Sequence, residues 1–121
     1  WRTSLTVMQP YKERRMNFSE YQERANATAI YAEAYKIMYP TLGLAGEAGE
    51  VADKVKKIIR DGLSLVDEKE GIAKELGDVL WYIAAVARDI GYSLDDIAKM
   101  NIDKLESRKE RGALQGNGDN R

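Results

Sequence analysis

Nine consecutive residues without a charge, Val79-Leu-Trp-Tyr-Ile-Ala-Ala-Val-Ala87, sit in a chain that is otherwise rich in charge. Around them Ile72, Leu76, Val79, Leu80, Ile83, Ala87 and Ile90 recur at helical spacing, so the run belongs to a helix that is apolar nearly all round. Such a helix is buried on every side. Trp81 falls roughly opposite the apolar stripe and needs a partner surface of its own. A chain of 121 residues makes one domain with a modest core and has little material left to wrap such a helix. The expectation is an obligate oligomer.

Only two prolines and long stretches rich in Ala, Glu, Lys and Leu lean towards helix throughout. Asn17 followed by Glu20 gives an N-cap with an acidic third residue, and Tyr21, Ala25, Thr28, Ala32 and Tyr35 keep helical spacing. This predicts a first helix over 17–38, ended by Pro40, with Thr41 capping the next. The second runs over 41–60 on Leu44, Ala48, Val51, Val55 and Ile58 and stops at Asp61-Gly62. The third covers 67–90 and stops at Gly91. The fourth covers 93–111, with Ser93 and Asp96 as its capping pair and Leu94, Ile97, Ala98, Asn101 and Leu105 on its inner face. The fold class is all-α, a four-to-five-helix bundle over residues 17–112 that assembles into an oligomeric bundle. Residues 113–121 are rich in Gly and Asn and read as a flexible tail. Residues 1–16 begin with Trp rather than Met, hold no apolar signal-peptide region and read as a leader outside the functional domain, with Met8 or Met16 as alternative starts.

Cysteine and histidine are both absent. That removes disulfides, thiolate catalysis, zinc–sulfur sites, a Ser-His-Asp triad and the Glu-x-x-His ligands of di-iron bundles. Any chemistry must run on carboxylates, amines, hydroxyls and metal-bound water. A net charge of −1 gives no basic field for nucleic acid or an acidic membrane, no apolar run is long enough to span one, and a cytoplasmic setting is the expectation.

Against that background the acids stand out. Glu47 and Glu50 form a Glu-x-x-Glu; Glu75 and Asp78 form a Glu-x-x-Asp. Spacing of three puts both acids of a pair on one helix face. With Leu44 as zero on the second helix, Glu47 and Glu50 fall at about 300° and about 240°, and with Ile72 as zero on the third, Glu75 and Asp78 fall at the same angles. Two antiparallel helices would gather the four acids into one cluster, which is hard to tolerate without cations, and hard oxygen donors favour Mg²⁺ or Mn²⁺.

Lys54 lies beside Glu47 and Glu50, either as an i,i+4 bridge from Glu50 or as a cation that meets a phosphate. Asn101, Lys104 and Arg108 share one edge of the fourth helix. They are either a buried amide with two snorkelling bases or a phosphate clamp. Gly43, Gly46 and Gly49 mark either close helix packing or room for a ligand.

Gly43-Leu-Ala-Gly-Glu-Ala-Gly-Glu-Val-Ala-Asp-Lys54, Lys74-Glu-Leu-Gly-Asp-Val-Leu-Trp-Tyr82 and Asn101-Ile-Asp-Lys-Leu-Glu-Ser-Arg108 together resemble the MazG-type nucleoside triphosphate pyrophosphohydrolases, a group that includes all-α dUTPases and dCTP pyrophosphatases. The resemblance covers about residues 17–121, tail included. It implies Mg²⁺-dependent hydrolysis of (deoxy)nucleoside triphosphates to the monophosphate and pyrophosphate, in house-cleaning of nucleotide pools. It implies Glu47, Glu50, Glu75 and Asp78 as metal ligands, with Glu47 or Glu50 as general base, and Lys54, Asn101, Lys104 and Arg108 near substrate. It also implies a homo-oligomer, a dimer or a dimer of dimers (a homotetramer). Attack at the α- or the β-phosphorus stays open, and Gln22, Tyr35 and Trp81 are candidates for base contact. The competing readings are a non-catalytic helical oligomerisation module and a di-metal redox bundle, the latter opposed by the missing histidines.

Overall fold

The computed structural model describes residues 15–121, so most of the leader lies outside the described residues. Helix α1 covers Phe18–Asn26, a 3₁₀ turn Glu33–Tyr35, α2 Met38–Asp61, α3 Leu65–Asp89 and α4 Leu94–Glu110. No strand occurs among the described residues, and none of their helices is long and apolar enough to cross a membrane. The architecture is all-α, as the periodicity requires.

Of the caps read from the sequence, that at Thr41 does not form, because α2 begins at Met38 and Thr41 lies within it; the others do. Asn17 accepts the Glu20 N–H at 2.8 Å, Ser93 accepts that of Asp96 at 3.0 Å, and Gly62 ends α2 in the left-handed region at φ 64°.

The first helix differs from expectation: it stops at Asn26 instead of running to 38. Thr28 carries the reason. Its hydroxyl donates to Ala25 O at 2.7 Å and accepts the Trp81 indole N–H at 2.8 Å, so a residue at helical spacing serves instead to tie the helix end to α3. Pro40 does not terminate a helix either. It lies in the first turn of α2, where an N–H is not needed, and it is fully buried.

Between α1 and α2 the chain makes a strained turn. Ile37 has φ 68° and ψ −53°, and Met38 N–H reaches back to Lys36 O at 2.7 Å, closing a γ-turn around a β-branched residue. Such a backbone costs on the order of 1–3 kcal/mol and must be held from outside. Asp89, at the end of α3, does the holding. Its Oδ2 accepts Ile37 N–H at 2.9 Å and the Tyr31 hydroxyl at 2.7 Å, while Arg88 Nη2 donates to Tyr31 Oη at 2.8 Å. The Asp89 side chain is shut off from solvent. Burial alone would raise its pKa, but the Ile37 N–H, the Tyr31 hydroxyl and Arg88 outweigh it and hold the carboxyl below its usual range.

α2 and α3 form the antiparallel hairpin on which the rest is built. Gly43 faces Tyr82, Glu47 faces Asp78, and Lys54 faces Gly71. These pairs keep a constant sum of residue numbers, as antiparallel helices in register must, and the same sum sets Glu50 opposite Glu75. The spacing of four, three and four along each helix is that of a knobs-into-holes seam. Here the seam carries charge and glycine, and the flanking apolar residues are turned partly outward. At the other end, Ala84, Ala87 and Leu94 are buried and pack with Tyr21, Ile83 and Ile97 where α1, α3 and α4 meet. The Trp81 indole thus has a hydrogen-bond partner within the chain, at Thr28 just past the end of α1. The unpartnered surface lies instead on Leu42, Ile59, Leu65, Val66 and Leu76, each more than half exposed.

The glycine question separates by position. A Cβ on Gly43 would lie 2.2 Å from Tyr82 Cε1, whereas Gly46 and Gly49 face open space. Gly43→Ala should therefore lower the unfolding free energy by about 1–3 kcal/mol, and Gly46→Ala should raise it by up to about 1 kcal/mol, in urea melts at matched protein concentration. Asp89→Ala takes the acceptor from the Ile37 N–H and from the half-buried Tyr31 hydroxyl and should cost about 1–3 kcal/mol. Because the Asp89 pKa is depressed on folding, its contribution is complete above about pH 4 and is lost as pH falls through the folded-state value. Melts between pH 6 and pH 2 should show that acid loss in the wild type and a flatter acid limb in Asp89→Ala.

Candidate functional site

The α2/α3 register brings Glu47, Glu75 and Asp78 together, with one carboxylate oxygen from each lying within 4.8 Å of the others. Glu47 and Glu75 are half-buried and Asp78 is exposed. Burial first, then the negative charges of Asp78, Glu75 and Glu50, push the Glu47 carboxyl above its usual range. Crowding of this kind favours a bound cation among the three acids. Three hard oxygen donors from two rigid helices are a donor set that fits a divalent metal of the Mg²⁺ or Mn²⁺ kind.

Glu50 stands apart from that triplet. One turn further along α2 it lines a neighbouring cavity of about 210 Å³ with Glu75, Lys54 and Asp53. Lys54 reaches across the seam to Glu75, Nζ to Oε2 at 3.9 Å, instead of back to Glu50 along its own helix.

On the other side of the acids is a cavity of about 360 Å³ lined by Thr28, Glu47, Asp78, Trp81 and Tyr82. The two aromatic rings meet edge to face, with centroids 4.9 Å apart. Tyr82 is absent from the sequence-derived set. Burial first, then Tyr39, Glu47 and Asp78 around it, raise its pKa and keep the phenol protonated. Tyr39 in turn stacks on Tyr31 at 5.0 Å. The signal for Tyr82 was its continuation of the Glu75 and Asp78 spacing by one more turn, matched by Gly43 ahead of Glu47.

The remaining candidates fall elsewhere. Gln22 is buried, and its amide N–H groups donate to Ala84 O and Tyr92 O at 3.2 Å while its carbonyl accepts Leu94 N–H at 3.0 Å. It joins α1, α3 and α4 and has no edge to offer a base. Tyr35 is exposed on the 3₁₀ turn beside Met38, Tyr39 and Leu42, in an apolar hollow without acids. Asn101 is exposed, not buried within a stripe, and lines a third cavity with Ile97, Met100, Lys104 and Asp119. Lys104 Nζ meets Asp119 Oδ1 at 2.7 Å and Arg108 Nη2 meets it at 3.3 Å. Lys104 and then Arg108 hold the Asp119 carboxyl below its usual range. The expected flexible tail is thus folded back on α4.

Known proteins are similar to this chain in sequence. The chain is 45% identical over 114 residues to the gene 37 protein of Mycobacterium phage L5, a stretch covering 88% of this chain and 100% of the phage protein. It is 38% identical over 74 residues to YvdC, an uncharacterized protein of Bacillus subtilis (strain 168), covering 55% of this chain and 70% of that one. No solved structure matches it. Residues 39–112, which hold both acid pairs, Lys54 and the Asn101–Arg108 edge, match the MazG nucleotide pyrophosphohydrolase domain, and the chain belongs to that family.

Proposed function

We propose that this chain hydrolyses (deoxy)nucleoside triphosphates to the monophosphate and pyrophosphate with Mg²⁺, as a cytoplasmic house-cleaning enzyme of the nucleotide pool. The observation that carries this reading is the triplet Glu47, Glu75 and Asp78 at the rim of an aromatic cavity. Those three would hold the cation, which supplies charge neutralisation and Lewis acidity at the triphosphate. Glu50 lies outside the triplet and one turn away, so it is the acid left to accept a proton from the attacking water. Lys54 already balances Glu75 across the seam and is placed to follow charge that develops on a phosphate. Trp81 and Tyr82 offer ring faces and edges to a base. Asn101, Lys104 and Arg108 form the cationic edge assigned to the polyphosphate. The exposed apolar residues of α2 and α3, Leu42, Ile59, Leu65, Val66 and Leu76, support assembly with copies of the same chain, as a dimer or a dimer of dimers.

Pyrophosphate release from a panel of deoxynucleoside triphosphates tests the activity. The wild type should release it only with Mg²⁺ or Mn²⁺, and Glu50→Gln should lower kcat by about 10²- to 10⁴-fold. Absence of metal-dependent release from every nucleotide would overturn the reading. Thermal melts separate ligand from base. Added Mg²⁺ should raise the wild-type and Glu50→Gln midpoints alike and leave Glu47→Gln nearly unmoved, while metal-free Glu47→Gln should melt above the metal-free wild type because one repelling charge is gone.

A further inference from the structure

The C-terminal residues close on themselves through Arg121. Its Nε donates to Ala113 O at 3.1 Å, its Nη2 to Leu114 O at 2.9 Å and its Nη1 to Gly118 O at 2.6 Å, while Arg111 Nη2 donates to Arg121 O at 2.9 Å. Gly116 at φ 133° and Gly118 at φ 84° make the reversals that a side chain would resist. A Gly- and Asn-rich segment has little apolar surface to hold it in place. This one is held by polar bonds, and what the loop presents is Asp119.

Asp119 sits on two cations at once. Its carboxylate takes Lys104 and Arg108, and its carbonyl accepts a further bond from the same Arg108 Nη2 at 2.7 Å, with Gly118 O beyond it at 3.4 Å. Arg108 is only 5% exposed, and its Nε is buried without a hydrogen-bond partner. A guanidinium favours two parallel bonds to one oxyanion, and a buried N–H left unpaired is costly. The loop carboxylate engages the Nη2 edge alone. A phosphate has more oxygens to offer and can bridge Nε and Nη2 together while meeting Lys104 as a point charge, with the Asn101 amide on the wall of the same cavity of about 290 Å³.

We propose that the C-terminal loop is a built-in pseudo-ligand: Asp119 occupies the oxyanion site of Lys104 and Arg108, and a substrate phosphate displaces it. This rests on the assignment of Lys104 and Arg108 to the polyphosphate. The loop lowers apparent affinity in proportion to the time it spends closed, and loop release is the conformational step that accompanies binding.

The test uses the full chain with Mg²⁺, inorganic pyrophosphate as the binding probe in calorimetry, and a hydrolysed deoxynucleoside triphosphate for kinetics. Asp119→Asn and Arg121→Ala, which loosens the loop without touching either cation, should each tighten pyrophosphate binding and lower KM about three- to tenfold at unchanged kcat. Pyrophosphate should also speed hydrogen exchange of the 113–121 amides in the wild type. Lys104→Gln should weaken pyrophosphate binding. If Lys104→Gln and Arg108→Lys both leave that affinity unchanged, the clamp assignment fails and the pseudo-ligand with it. If they weaken binding while Asp119→Asn and Arg121→Ala leave Kd and KM unchanged or raise them, the clamp stands and the pseudo-ligand is overturned.

Discussion

The central constraint on this molecule is that its longest helix pair meets along a charged seam. Positions that would carry Leu or Ile in an ordinary hairpin carry Glu47, Glu50 and Lys54 on one side and Glu75, Asp78 and Tyr82 on the other. Carboxylates at that range repel, and burial first and then that repulsion push the Glu47 carboxyl above its usual range. The hairpin therefore needs an agent that joins acids, and it cannot use its seam as a hydrophobic core. The apolar residues are displaced to the flanks, and among the described residues the buried core is small and centred on the Ala84, Ala87 and Leu94 cluster. An acid cluster suited to a metal and an outward-facing apolar surface are two results of one arrangement.

Much of this was legible because the seam is local. Helix caps at Asn17 and Ser93, the stop at Gly62 and the two acid pairs follow from spacing of a few residues, and the angular match of the acids already implied a common face. What escaped the sequence depends on contacts across the chain. Thr28 has helical spacing, yet its hydroxyl ends α1 because Trp81, far away in sequence, donates to it. Pro40 is a helix breaker by rank but harmless in a first turn. Asn101 reads as buried on an ideal wheel and is exposed, because α4 packs through Leu94 and Ile97 near its start and leaves its later turns to the tail. Gln22 has the chemistry to read a base, and only the fold shows that three backbone groups already engage it.

A second polar centre complements the first. Asp89 anchors a strained γ-turn from outside, beyond its own closing bond, and in doing so it fixes where α2 begins. From there Tyr31 stacks on Tyr39, and Tyr39 meets Tyr82 at the edge of the acid cavity. The linker between α1 and α2 is thus continuous with the wall of the site through three tyrosines. The strain at Ile37 sits at the far end of that aromatic path, outside the acid cluster.

The contact of Tyr82 with Gly43 acts on the site although neither residue belongs to the acid triplet. With no Cβ between ring and backbone, the two helices lock at one axial position, and every acid separation further along the seam inherits it. Positions 43 and 82 consequently form one heritable unit: a lineage that enlarges the first must shrink the second, or the acids, though all present, will no longer converge. Related chains should show covariation between these two positions even where every acid of the seam is invariant.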